Sequence, residues 1–400
     1  MRMKTKIITR TIWLLSLVSL FTDMASEMLY PIMPVFLKSI GFSVLLIGVL
    51  EGFAEAVAGL SKGYFGKRSD ITGKRLPFVQ LGYALSAISK PMMAVFIYPL
   101  WIFFARTIDR LGKGIRTGAR DALLSDECVK ENKGKVFGFH RSLDTMGAVL
   151  GPAIALAYLY YYPGNYKTLF IIAFFPGVCA ILLTLFIKEK KKVRDNDEPL
   201  TKWNFLSIFS YWKNSPAEYK KLLVGLLLFA AFNSSDVFLL LRMKESGLSD
   251  TAVIGVYIFY NLIFALLAYP IGILADKLGL KKIFLVGLFV FAVVYAGFAV
   301  NSNLVIFFVL FSLYGFYAAA TEGISKAWIS TIVSKNETAT AIGTYSGLQS
   351  ICALLASSLT GFLWYSFGSV ITFGITACTT LLVIVYLLSA PSKTSQIGTV

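Results

Sequence analysis

The sequence predicts an all-α membrane protein with twelve transmembrane helices in two pseudo-symmetric six-helix bundles, and three observations predict it. Apolar residues make up 56% of the 400-residue chain, charged residues only 15%, and the mean hydropathy is +0.70. A soluble chain carries about 25% charged residues. Apolar stretches of about 20 residues, enough at 1.5 Å rise to cross a roughly 30 Å hydrocarbon core, recur along the whole chain. The second half also repeats the first at a shift of 206 positions.

In order, the spans are read at 11–37, 42–62, 77–98, 100–120, 137–160, 167–187, 222–241, 251–274, 283–300, 303–326, 339–363 and 367–389. The first follows Arg2, Lys4, Lys6 and Arg10. It is longer than the apolar region of a signal peptide and has no small-residue cleavage site, so it reads as a retained helix. With the N-terminus inside, about 31 of the 38 Lys and Arg fall at cytoplasmic loops, tails or helix ends. The seven others are Lys38, Lys90, Arg106, Arg110, Lys167, Arg242 and Lys244. That asymmetry follows the positive-inside rule, so the +16 net charge reads as topology and not as a nucleic-acid surface. Cys128, Cys179, Cys352 and Cys378 lack paired or metal-like spacing and read as small packing residues.

The longest polar interruption, 188–221, begins KEKKKVRDNDEP and leaves six spans on either side. The expected organisation is an N-terminal bundle at 1–187, a cytoplasmic linker at 188–221 and a C-terminal bundle at 222–400. Under the shift, Lys38, Gly41 and Ser43 fall on Lys244, Gly247 and Ser249, and Gly66, Asp70 and Gly73 on Gly272, Asp276 and Gly279. With a one-residue slip, Gly118, Ala122 and Gly138 fall on Gly323, Ala327 and Gly343. Parallel halves are one of the repeat schemes of secondary transporters, which place substrate between the halves near the bilayer midplane.

The loops GKRSDITGKR (66–75) and GILADKLGLKK (272–282) resemble the signature of the major facilitator superfamily, which joins helices 2 and 3 and, in degenerate form, helices 8 and 9. The resemblance covers the twelve-span plan and implies the major facilitator fold and transport activity. It also implies a conformational latch of Gly66, Asp70, Gly73 and Arg75 with Gly272, Asp276, Gly279 and Lys281. Physically, glycine permits the tight bend, and an Asp at a helix end can bond nearby N–H groups and Arg. In the fifth span, Gly138, Gly147, Gly151 and Pro152 resemble the spacing of the superfamily's drug–proton antiporters. Ala155 and Leu156 stand where that motif closes with glycines. Ordinary transmembrane packing also uses such residues.

The fourth span, WIFFARTIDRLGKGIRTGARDALLSDE, repeats Arg106, Asp109, Arg110, Lys113, Arg116 and Arg120 every three or four residues. That period makes one helical stripe, which cannot face lipid when each midplane charge costs at least about 2.5–3.5 kcal/mol. It must face a watery cavity or opposing carboxylates. Arg106 and Asp109 resemble the family's fourth-helix arginine motif, with Arg110 where glycine is usual; aligning instead on Gly112 and Gly114 loses the arginine. The end from Arg116 to Asp126 reads as snorkelling, solvated charge.

Asp23 and Glu27 in the first span, and Glu51 and Glu55 in the second, each lie one turn apart and share a helix face. A carboxylate isolated in low dielectric tends to hold its proton, and a neighbouring Arg pulls it off. Opening and closing such a contact would couple a proton to transport, with Asp23, Glu27, Glu51, Glu55 and Asp109 as the candidates. A fixed ion pair between helices 1, 2 and 4 is the competing reading. His140, the only histidine, stands near the start of the fifth span beside Arg141 and Asp144, where it reads either as a relay or as a solvated helix-end residue. The second half offers Asp236 beside Asn233, Glu322 one turn from Lys326 as an expected pair, and aromatic residues at Tyr257, Tyr260, Tyr314, Tyr317 and Trp328. Candidate substrate contacts are Arg106, Arg110, Lys113, Tyr30, Asp236 and Tyr257.

These features favour a proton-coupled antiporter exporting an amphiphilic or anionic small molecule, acting as a monomer in an inner membrane with both termini cytoplasmic. The alternative is a proton-coupled importer of an anionic nutrient or a metal chelate such as a siderophore. A membrane enzyme would need a nucleophile–base pair or metal cluster, and direct nucleotide-driven pumping would need a phosphate-cradling glycine loop; neither pattern is found. No cofactor or bound metal is expected.

Overall fold

The computed structural model describes residues 7–30, 33, 36, 37, 40, 41, 44–96, 98–189, 207–248 and 250–389. Among the described residues there are thirteen α-helices and no strand. The first six are α1 (Arg10–Glu27), α2 (Val44–Thr72), α3 (Leu76–Val95), α4 (Pro99–Asp126), α5 (Lys133–Tyr161) and α6 (Tyr166–Leu185). There follow a short α7 (Ser207–Asn214), then α8 (Ala217–Ala230), α9 (Val237–Glu245), α10 (Asp250–Leu278), α11 (Leu280–Val300), α12 (Leu304–Ile332) and α13 (Thr338–Leu388).

Local chemistry sets the starts. The Thr9 hydroxyl accepts from Ile12 N at α1, Asn165 from Thr168 N at α6 and Asn303 from Val305 N at α12, each side chain satisfying an otherwise unpaired donor. Prolines open α3 and α4, where their missing N–H is not needed. The shift of 206 carries α2 onto α10 end for end, and α5 onto the part of α13 before Gly368.

Several boundaries differ from the sequence reading. Helices α2 and α4 run to Thr72 and Asp126, past the spans 42–62 and 100–120, because hydropathy marks only the lipid-thick part of a helix that continues into the loop. The expected span 222–241 is broken into α8 and α9 by the run AFNSSD (231–236), whose short polar side chains compete for backbone bonds. The spans 339–363 and 367–389 form one helical run turned at Gly368, whose φ of 79° and ψ of 170° suit glycine alone. The first helix ends at Glu27, and much of the remainder of span 11–37 lies outside the described residues. So does half of the linker expected at 188–221, residues 190–206; its described part holds α7 and the start of α8.

Within the first half, α1 packs on α5 and α6, α3 on α4 and α6, and α2 on α4. In the second, α10 packs on α12, α11 on α12 and α13, and α8 on α13. Two pseudo-equivalent seams join the halves, α5 against α10 and α2 against the first part of α13. Leu100, Tyr160, Leu182, Val305 and Leu382 stand exposed on the outside, a display of large apolar side chains that only lipid can cover. The chain is an integral, multi-pass membrane protein.

Candidate functional site

The two loop motifs form one device used twice. Asp70, at the end of α2, accepts from the backbone N and hydroxyl of Thr340 at 2.7 and 2.8 Å, capping the start of α13. Asp276, at the end of α10, accepts from Gly134 N and Lys135 N, both at 2.7 Å, capping the start of α5. The shift that relates Asp70 to Asp276 also relates Gly134 to Thr340, so each half holds the helix N-terminus of the other. A carboxylate satisfies the orphan N–H groups there and meets the positive end of the helix dipole.

The first-half copy is the more elaborate. Arg75, only 2% exposed, pairs with Asp70 at 3.1 Å and Asp126 at 3.2 Å and donates to the Lys335 carbonyl at 2.9 Å. Glu189 caps α3 through Arg75 N and Leu76 N at 2.7 and 3.0 Å. In the second-half copy Gly279, with φ of 102°, makes the turn into α11, and Lys281 donates to the Leu388 carbonyl at 2.9 Å. Both seams close here on glycine. A Cβ on Gly134 would stand 2.7 Å from the Gly272 carbonyl, Gly66 lies against Ala339, and Gly138 against Ala268 and Gly272. The halves are shut at this latch end.

One to two turns deeper lies a cavity of about 240 Å³ between the halves. Its wall holds six cations, Lys62, Lys113, Arg116, Arg120, Arg141 and Lys326, and four carboxylates, Asp23, Glu27, Asp144 and Glu322. Arg141 links the halves: it pairs with Asp144 on its own helix at 2.6 Å and with Glu322 on α12. Lys326 on α12 makes the second link, to Asp121 on α4 at 2.7 Å, and Asp121 also holds Arg120 at 2.9 Å. Asp23, Glu27 and Lys113 have no ion-pair or hydrogen-bond partner among the described residues. Glycines bring Asp23 there: a Cβ on Gly147 would meet its Cβ at 2.9 Å, and one on Gly151 the Met24 carbonyl at 2.6 Å, so α5 packs hard on α1. Glu322 and Arg141 keep 40% and 30% side-chain exposure.

Several sequence expectations change on this geometry. Glu322 and Lys326 do not pair with each other; each points across to the first half, Glu322 to the half-buried Arg141 and Lys326 to the buried Asp121. Arg116 and Arg120 are not snorkelling end charges but are 7% exposed in the cavity wall. His140 is not solvated: it is 3% exposed, with Nε2 3.4 Å from Ser19 Oγ, and Ser19 also bonds Tyr83 and Arg120. The deeper stripe is paired largely with charges on neighbouring helices. Asp109 pairs with Lys90 at 2.8 Å and Arg106 at 3.5 Å, and Arg110 meets Glu55 at 3.6 Å. These groups, with Tyr30 and Tyr257, do not line the cavity.

Glu51 lies on α2, but its side chain is outside the described residues. Asp236 sits at the α8–α9 break, accepting from the Tyr314 hydroxyl at 2.7 Å within an aromatic cluster of the second half. Sequence reasoning missed Lys62 and Asp121, and took Lys90 only as an exception to the charge asymmetry. A lysine in an otherwise apolar span was already a signal that a buried carboxylate must face it.

Two repeated helical halves, mirrored caps at one end and a charged cavity between them make the architecture of a secondary transporter. The family description Major Facilitator Superfamily matches residues 15–262 and 222–398, and the chain belongs to that superfamily. It is 32% identical over 363 residues to the uncharacterized MFS-type transporter MJ1317 of Methanocaldococcus jannaschii, covering 89% of each chain. It is 24% identical over 290 residues to the multi-drug resistance efflux pump PmrA of Streptococcus pneumoniae, covering 68% of this chain and 69% of that one. A shorter stretch of 124 residues, 31% of this chain and 32% of that one, is 27% identical to the quinolone resistance protein NorA of Staphylococcus aureus. Among solved structures, the human organic anion transporter MFSD10 superposes with a TM-score of 0.80 at 15% identity, over 94% of this chain and 99% of that one. The Escherichia coli fucose:proton symporter FucP gives 0.77 at 11% identity, over 97% and 100%. The chain is therefore a membrane transporter of small molecules and not an enzyme.

Proposed function

We propose that this chain is a proton-coupled transporter that works by alternating access, exporting an amphiphilic or anionic small molecule in exchange for protons. In this reading it acts as a monomer in the inner membrane, with the latch end and both termini cytoplasmic. One observation carries the coupling: Asp23 and Glu27 stand unpartnered in the cavity between the halves, beside the Arg141 bridge to Glu322. Opening the latch end pulls α5 from α10 and α2 from α13. It would part the Asp70 and Asp276 caps and then the two cross-half links, Arg141–Glu322 and Asp121–Lys326. Arg141 would turn to the carboxylates left on its own half, and its approach or withdrawal would drive a proton off or onto Asp23 and Glu27. Export is supported by the efflux names of PmrA and NorA and by the glycine-rich α1–α5 seam.

The cation surplus of the cavity favours a second reading, import of an anion together with protons. Internal pH in proteoliposomes carrying a preset pH gradient tests the proposal as anions and amphiphilic drugs are added in turn. Substrate-dependent proton movement that vanishes in Asp23→Asn is expected, and its sign separates exchange from co-transport. Substrate flux with no proton movement, unchanged in Asp23→Asn, would refute coupling.

A further inference from the structure

The charges of the cavity do not cancel, and the way they fail to cancel describes a ligand. Arg141 faces two carboxylates, Asp144 and Glu322, while Asp121 serves two cations, Arg120 and Lys326, so these two groups balance each other. Three cations remain. Among the described residues Lys62 Nζ donates only to Ser350 Oγ, at 2.8 Å. Arg116 donates to Ser86 Oγ at 2.7 Å and lies over the Tyr83 ring at 4.6 Å. Lys113 lines the cavity at an exposed position. None of the three has a carboxylate within ion-pair distance among the described residues. Against them in the wall stand Asp23 and Glu27, and Glu55 on α2, already paired with Arg110, also acts on Lys62 and Lys113.

Two further features narrow the occupant. Ser346 Oγ in the wall, on a residue 5% exposed, and the buried Arg116 Nε have no hydrogen-bond partner among the described residues, so both are donors lacking an acceptor. Size argues the same way: about 240 Å³ falls below the roughly 300–1,000 Å³ of pockets that take drug-sized ligands. Its lining is charged and hydroxylic, with Tyr345 its one aromatic among the described residues, which gives an amphiphile little to bury against.

We propose that this cavity binds a compact oxyanion with two negative charges, a phosphate monoester or a dicarboxylate, with Lys62, Lys113 and Arg116 as its counter-charges and Ser346 as a neutral donor. The proposal deepens, and rests on, the reading of the cavity as the transport site. Arg116 supplies the planar fork that grips two oxygens at once, and the lysines supply point charges without fixed geometry. Asp23 and Glu27 compete with the anion for these cations, so removing their charge strengthens its binding.

The test is titration calorimetry on purified, detergent-solubilised full-length protein at fixed pH and low salt. The probes are glycerol phosphate, succinate, acetate as a monoanion and tetraphenylphosphonium as an amphiphilic cation. Saturable binding of glycerol phosphate or succinate is expected, and acetate should bind about tenfold more weakly or worse. Glycerol phosphate alone would specify the phosphate ester, succinate alone the dicarboxylate. Lys113→Ala, at an exposed position with no bonded partner, should weaken the dianion about tenfold, and Asp23→Asn should tighten it. Absence of saturable dianion binding, or dianion binding indifferent to Lys113→Ala and to Asp23→Asn, would overturn the proposal. The parent reading fails separately. Dianion binding that obeys these variants with no proton movement in proteoliposomes would sink the coupling and leave the site. Proton movement driven by tetraphenylphosphonium, with no dianion bound, would leave the coupling and sink the site.

Discussion

Gly134→Ala should open the latch end. A Cβ added there would lie 2.7 Å from the Gly272 carbonyl oxygen and 2.6 Å from the Asp276 carboxylate, where ordinary contact begins at 3.4 Å. The carboxylate can turn away, but doing so gives up its bonds to Gly134 N and Lys135 N. The Gly272 carbonyl belongs to a helix and cannot yield 0.7 Å without moving α10 from α5. Overpacking a close seam costs about 1–3 kcal/mol. The gain in helix propensity from Gly to Ala is present whether the latch is shut or open, so it drops out of the opening equilibrium. A destabilisation of that size, borne by the shut state alone, shifts the population about 5- to 150-fold toward open. The assay is the distance distribution between spin labels at Glu131→Cys and Lys277→Cys, both exposed on the two sides of this seam, in a background with the native cysteines replaced. A longer-distance population should grow in Gly134→Ala. Gly374→Ala, where an added Cβ meets nothing within 4 Å, should leave the distribution unchanged. An unaltered distribution in a folded Gly134→Ala protein would refute the claim that backbone contact at this glycine holds the halves shut.

Asp70→Asn and Asp276→Asn should each loosen the same end by about 1–2 kcal/mol, since an amide cannot accept two charge-assisted bonds as the carboxylate does; the label pair above, and its α2–α13 counterpart at Thr72 and Asn336, report it. Arg141→Ala and Glu322→Gln should show a coupling energy of about 1 kcal/mol or more in a double-mutant cycle read by the same distances, and additivity would mean the link contributes nothing to closure. Lys90→Met should cost about 3–5 kcal/mol because it strips the nearest cation from buried Asp109, whereas Lys90→Met with Asp109→Leu should recover much of the loss in thermal stability; a double variant as unstable as the single would refute the pairing.

How much was legible in the sequence depends on the range of the interaction. Membrane insertion, twelve spans and the two-fold repeat rest on local hydropathy and internal likeness, and both are carried by the chain order itself. The paired loops were legible for the same reason: Gly66, Asp70 and Gly73 recur as Gly272, Asp276 and Gly279 at one constant shift. The stripe on α4 announced that charge had to be buried, because lipid would not accept it.

Which charge meets which was decided only in three dimensions. Helical spacing suggested that Glu322 would pair with Lys326 one turn on, and that the end of α4 would be solvated. Instead α12 lies against α5 and α4, and each of those side chains meets an opposite charge across the seam, Glu322 at Arg141 and Lys326 at the buried Asp121. His140 is buried on the α5 face that packs on α1, where Ser19 meets its ring, a fact of packing that no local pattern carries. The sequence by itself determined that this protein crosses a membrane as two like halves and must bury charge between them. The tertiary structure alone decided which cations are cancelled and which are left facing the cavity, since ion pairing follows distance in space, and helices distant in the chain set that distance.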